Sequence, residues 1–266
     1  MLVKPPRLLF AALLLAVPAA APATTLSFAD VADLTLAAPV IVRASITGSE
    51  RISAENSPGL AAGNARLLVS AAVSAALIAP GTVPGTLSWL WDAPLDAKGK
   101  PPKPKGSSVL AFLAAPAADG KTRLIAGAGQ QPASPELEAE VRAIATAARS
   151  GEAPAITGIS NGFRADGTVP GESESQFFLQ TADGKGLTMV VTRKPGEALK
   201  VAVSRGDVID ESAASVKPQT LLWYRLACTA PANLPAAAGG TDKVLAADWT
   251  AALTSLGPCG RTLLKR

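Results

Sequence analysis

The sequence predicts a mainly β protein: two β-rich units joined by one amphipathic helix, with a short helix near the C-terminus. Two observations carry this. Most of the chain alternates apolar and polar residues in runs of four to eight, bounded by Gly, Pro, Asn and Asp. Only one segment, residues 134–151, writes helical spacing together with both end signals. No repeat recurs at a fixed period.

Residues 36–48 (LAAPVIVRASITG) place Val40, Val42, Ala44 and Ile46 on one face of a strand. A Ser-, Gly-, Asn- and Pro-rich loop follows over residues 49–65, then a strand at 66–78 (RLLVSAAVSAALI). The alanines of that run leave a helix open, but the two-residue alternation favours a strand. Residues 79–85 form a turn and 86–91 (TLSWLW) a strand, and residues 92–106 make a flexible excursion. Strands at 107–114 and 122–126 complete the first unit.

Ser134 is suited to cap the connecting helix, with Pro135 at its first position and Glu136 and Glu138 in its first turn. Its apolar face is Leu137, Val141, Ile144, Ala145 and Ala148, and Gly151 ends it. The second unit runs in hairpin rhythm through strands at 154–160, 175–181, 187–193 and 198–204, with Asp183-Gly184 as a strong turn. Residues 220–228 (TLLWYRLAC) read as its last strand, and 247–256 as helix. The resulting division is residues 24–133, 134–150 and 151–266.

The chain opens with Lys4 and Arg7, an apolar run over residues 8–17, and Ala21-Pro22-Ala23 as a small-x-small cleavage site. That order is the pattern of a secretory signal, residues 1–23, and the run is about half the length needed to span a bilayer. No membrane insertion is expected after cleavage. The Ala, Gly, Pro and Arg content is that of a GC-rich bacterial genome, so the expected location is periplasmic or secreted. Of the formal net charge of +4, Lys4 and Arg7 supply two, leaving 23 cations against 21 acids. Remaining positive charge is local, at Lys98, Lys100, Lys103 and Lys105 and at Arg261, Lys265 and Arg266, without interleaved aromatics; nucleic acid is not an expected partner.

In an oxidising compartment the two cysteines, Cys228 and Cys259, are most simply one disulfide. It would tie the C-terminal tail to residues 220–228 and, for a loop of this length, stabilise the fold by roughly 3–4 kcal/mol. A reactive thiol is the alternative, but there is no histidine to activate it.

Residues 34–130, through PVIVRASI, RLLVSAAVSAALI, GTVPGTLSWL, GSSVLAFLA and TRLIAGAG, resemble exported bacterial domains of the OB-like, netrin-like β-barrel type. The glycine-preceded V-L-x-F-L strand at 109–113 follows a loop, as in those domains. The 92–106 loop is longer than theirs, and the cysteines that netrin-like members often carry are missing here. The resemblance implies a binding or interaction module, with no catalytic residue to transfer.

The missing histidine excludes Ser-His-Asp and Cys-His catalysis and His-ligated zinc or haem, and two cysteines cannot make a four-Cys site. No cofactor or metal is expected. GAGQQP at 127–132 lies where a dinucleotide fingerprint belongs, but Pro132 stands at the third glycine position and a βαβ context is lacking. Glu172 and Glu174, with Asp207, Asp210 and Glu211, are acids of turn segments; as a pair across a cleft they would suit a glycosidase, which also wants aromatics. Arg205-Gly206-Asp207 is ordinary turn chemistry.

Trp89 and Trp91 share one strand face beside the basic loop. Barrel core is the preferred reading. The functional one is a stacking platform for a sugar or peptide, with Lys98, Lys100, Lys103 and Lys105 held exposed by intervening prolines. The expected function is therefore an exported, non-enzymatic binding protein whose partner is an envelope protein or cell-wall glycan. A histidine-independent carboxylate hydrolase is the alternative.

Overall fold

The computed structural model describes residues 26–205 and 214–263. The signal-like segment 1–23, Thr24, the acids Asp207, Asp210 and Glu211, and the cations Lys265 and Arg266 lie outside them. The protein is mainly β, built on two antiparallel sheets of five strands each.

The first sheet holds β1 (Val40–Arg51), β2 (Asn64–Ile78), β3 (Thr86–Pro94), β4 (Ser108–Leu113) and β5 (Gln130–Pro132) in the order β3-β2-β1-β4-β5. It curls into a half-barrel. Alternation places Val42, Ala44, Ile46, Leu67, Val69, Leu87 and Trp89 in its own buried concave core. Register shifts in the β1–β2 pairing let two long strands coil that far. Residues 117–124 strap one end: the Ser88 N–H donates to Gly120 O, the Thr122 N–H donates to Ser88 O, and Leu124 bridges to Leu113.

The opposite face of the same sheet, with Ile41, Leu110 and Phe112, is covered by α1 (Phe28–Ala37), α2 (Pro135–Ser150) and α3 (Leu221–Tyr224). With both faces covered, β4 is buried from Val109 through Leu113.

The second sheet is β10-β9-β8-β7-β6: β6 (Ile156–Asp166), β7 (Ser173–Thr181), β8 (Leu187–Arg193), β9 (Lys200–Arg205) and β10 (Ala214–Ser215). One face buries Ile159, Phe177, Leu179, Met189 and Val191 against α4 (Lys243–Ser255). There Trp249 meets Phe177 edge-on at 5.1 Å and donates Nε1–H to the Pro231 carbonyl at 3.0 Å.

Sequence expectation and structure part at three places. The 220–228 run is not a strand: Thr220 caps α3 through the Trp223 N–H, and a π-helical turn, Arg225–Thr229, continues it. Residues 122–126 make only an isolated bridge, while the last strand of the half-barrel lies at Gln130–Pro132. α1, unforeseen, is set by a capping box in which Ser27 and Asp30 satisfy each other's backbone N–H groups. α2 starts and ends as the sequence dictates, capped by Ser134 and stopped at Gly151 (φ 72°), and its apolar face, with Leu137, Val141, Ile144 and Ala148, packs among α1 and α3.

Candidate binding groove

The edges of the half-barrel, β3 and β5, are joined by a side chain instead of a ladder. On β3, Leu87, Trp89, Trp91 and Ala93 point to the concave side and Leu90 points out, 48% exposed. Trp89 is 1% exposed, and its Nε1–H donates to Gln130 Oε1 on β5 at 2.9 Å. Trp89 is thus part of the core, and its ring offers no surface to a ligand. The hydrogen bond satisfies a buried indole N–H and fixes the gap between the edges.

Beyond that link the seam opens into a groove of about 300 Å³, with Trp91 half-buried in it. Ile46, Val109, Pro104, Gln131 and Lys103 share its wall. The floor is apolar and the rim carries amide and ammonium groups. β5 pairs with β4 on one side only, so its other backbone edge is free of a strand.

The basic loop is ordered by turns. Asp96 Oδ1 accepts the backbone N–H groups of Lys98 and Lys100, both at 2.8 Å. Pro104 is buried, the Ser107 N–H returns to its carbonyl, and the Gly106 N–H bonds Ile46 O at 2.8 Å. Gly106 takes φ 88°, which a side chain would resist. Lys98, Lys100, Lys103 and Lys105 are exposed, and none pairs with a carboxylate of the described residues. Of the four, Lys103 lines the groove, while Lys98, Lys100 and Lys105 belong to the same loop and do not line it.

The predicted carboxylates lie elsewhere. Glu172 and Glu174 line a depression of about 430 Å³ on the second sheet with Asp166, Arg193 and Lys194, and no aromatic borders it. Glu174 accepts from Gln176 Nε2 at 2.7 Å.

Nearby is an ionic cluster that sequence reasoning missed. Asp248 on α4 is 3% exposed and accepts from Ser175 Oγ at 2.6 Å, Arg164 Nη1 at 2.8 Å and Arg193 Nε at 2.7 Å. Burial pushes its carboxyl up, but the donors from Ser175, Arg193 and Arg164 outweigh it and hold the pKa below the usual range. The cluster pins α4 across β6, β7 and β8. The only sequence signal was one acid inside the otherwise apolar stretch of α4.

The C-terminal tail is fastened by the cysteine pair that the sequence predicts and by a polar cluster that it does not reveal. Cys228 and Cys259 lie at disulfide distance, with Cα atoms 5.0 Å apart. Arg261 forks onto Asp33 with contacts of 2.6 and 2.9 Å, and Tyr224 OH donates to the same carboxylate. Asp30, fully buried, accepts from Ser27, from both the N–H and Oγ1 of Thr262, and from the Leu263 N–H. Burial raises its pKa, yet these donors lower it to about 2.

Gly129, within the fingerprint-like GAGQQP, has a packing reason: a Cβ there would stand 3.1 Å from Phe112 O and 2.9 Å from Ala126 O. Among the described residues no three His, Cys, Asp or Glu side chains gather to hold a metal, and no helix is long and apolar enough to cross a membrane. The sequence matches no known family model and no curated protein.

Proposed function

We propose that this protein is an exported, non-enzymatic binding module of the bacterial envelope, and that the open seam of the half-barrel takes an extended, acidic segment of a partner protein. One observation carries the proposal: Trp91 and Lys103 meet in a groove beside a strand edge with no strand on it. An extended peptide can add its backbone to such an edge and seat alternate side chains in the groove. Lys103 in the groove and Lys98, Lys100 and Lys105 on the same loop, without a carboxylate partner among the described residues, favour acids in the incoming segment and would speed its encounter. Export rests on the order of charges and apolar residues in positions 1–23.

A photo-activated cross-linker placed at position 103 in the source cells tests this, with a second at exposed Lys200 as control. The proposal expects one protein adduct from position 103 only, mapped to an acid-rich segment, weakened by salt and lost when Lys98, Lys100 and Lys105 become alanine. A glycan adduct, or an adduct indifferent to those lysines, overturns it. For the hydrolase reading, Glu172→Gln with Asp207→Asn is the corresponding test. A binding module carrying both changes should still complement deletion of its gene.

A further inference from the structure

The outer face of β6 and β7 carries an aromatic pair that the seam groove does not use. Phe163 is 42% exposed, and its ring lies 6.0 Å from that of Phe178, the planes 28° apart. The two are diagonal neighbours on adjacent strands, since Phe163 pairs with Gln176 and Asn161 with Phe178. Phe163 has no way inward. The inner side of β6 is so tight that a Cβ on Gly162 would stand 3.1 Å from the Phe177 ring and 3.0 Å from Ala238 O.

Among the described residues of β6 and β7, the neighbours of this pair are uncharged except Glu174, which lies on the same face two positions from Gln176. Thr157, Asn161, Gln176 and Gln180 face the same way, and a depression of about 550 Å³ opens beside Phe178, lined by Thr157, Ser160 and Gln180. Gln180 lies flat across Gly158, where a Cβ would come within 2.7 Å of its Oε1. The nearest acid on β7, Glu174, is already held by Gln176.

A protein-binding patch would surround an aromatic pair with more apolar area and an Arg or Met. An aromatic face rimmed by amides and hydroxyls, with one hydrogen-bonded carboxylate beside it, matches instead a pyranose ring, whose flat C–H face is apolar and whose edge is all donors and acceptors. We propose that this face is a carbohydrate platform, taking a neutral β-1,4-linked oligosaccharide with one sugar stacked on Phe163 and Phe178. It is separate in sheet, residues and ligand from the seam groove.

Titration of the mature chain, residues 24–266, with chitohexaose and with cellohexaose, followed calorimetrically and by amide chemical shifts, tests the assignment. Expected is one-to-one binding with shifts confined to β6 and β7. Phe163→Ala should weaken it roughly tenfold, Phe163→Trp should strengthen it, and Lys103→Ala should leave it unchanged. Phe163 is exposed, so circular dichroism of the alanine variant should match the parent and separate loss of binding from loss of fold. No binding of either sugar, binding that survives Phe163→Ala, or a dimer in sedimentation that this substitution dissolves would each overturn the proposal.

Discussion

The two sheets have the same strand count and the same antiparallel pairing, but they meet their surroundings differently. The first is covered on both sides, by its own curl on the concave face and by α1, α2 and α3 on the other. The second buries one face under α4, and at β6 and β7 its other face stays open, with Thr157, Asn161, Phe163 and Gln180 exposed. The strands write this difference as composition. β4 is apolar without interruption from Val109 to Leu113, whereas β7 alternates buried and open positions along its length. A half-barrel thus opens at its seam, and a one-sided sheet leaves a face.

Breaking the two cores should cost most. Phe112→Ala in the first and Trp249→Ala in the second each remove a fully buried aromatic, and each should lower stability by about 3–5 kcal/mol in urea unfolding. Phe163→Ala, on the open face, should stay within about 0.5 kcal/mol of the parent. Next is Asp248→Ala, which strands Arg164 and Arg193 against β6, β7 and β8. With both guanidinium groups partly wetted, the expected loss is about 2–4 kcal/mol, read from the urea midpoint.

Reducing the Cys228–Cys259 link frees a loop of 31-residue separation and should cost about 3 kcal/mol in the chain-entropy account. Arg261 and Thr262 still hold the tail to α1 after reduction, so the first sheet should keep its amide protection.

Acid should loosen the tail. The folded-state pKa of Asp30, about 2, lies below its ordinary value of 3.8. Its carboxylate therefore stabilises the fold fully above about pH 4, and that contribution is lost as pH falls toward 2. In Asp30→Asn the stability difference between pH 5 and pH 2 should shrink, measured by thermal unfolding at each pH. Smallest of all, alanine at Lys98, Lys100 and Lys105 together should shift stability by no more than about 0.5 kcal/mol while abolishing the cross-link from position 103.

The repeating features of the fold were legible in the sequence because they depend on local periodicity. β1, β2, β3, β7 and β8 lie where alternation puts them, and α2 where Ser134, Pro135 and Gly151 put it. The failures came where a local signal was ambiguous. In TLLWYRLAC the aromatic and branched residues favour a strand, but Thr220 as a cap and burial of Leu221, Trp223 and Tyr224 among three helices decide for helix. β5 is three residues long, too short for any period to register. Trp89 and Trp91 were legible as a pair on one face. What separated them, one hydrogen-bonded in the core and the other half-buried at its mouth, depends on Gln130, 41 positions from Trp89. The Asp248 cluster joins residues as many as 84 apart, which no spacing rule reaches.

The clasp of the tail onto α1 bears on the order in which the molecule can be completed. Asp33 and Arg261, its partner, are separated by 228 positions. A chain delivered from its N-terminus therefore presents α1 almost first and the residues that fasten it almost last. Both sheets can assemble during delivery, yet α1 stays without its buckle until Arg261 and Thr262 arrive. A chain cut short after α4 would keep Ser27 on Asp30 and Tyr224 on Asp33, but neither the Arg261 cation nor the Thr262 and Leu263 donors that complete the two sites.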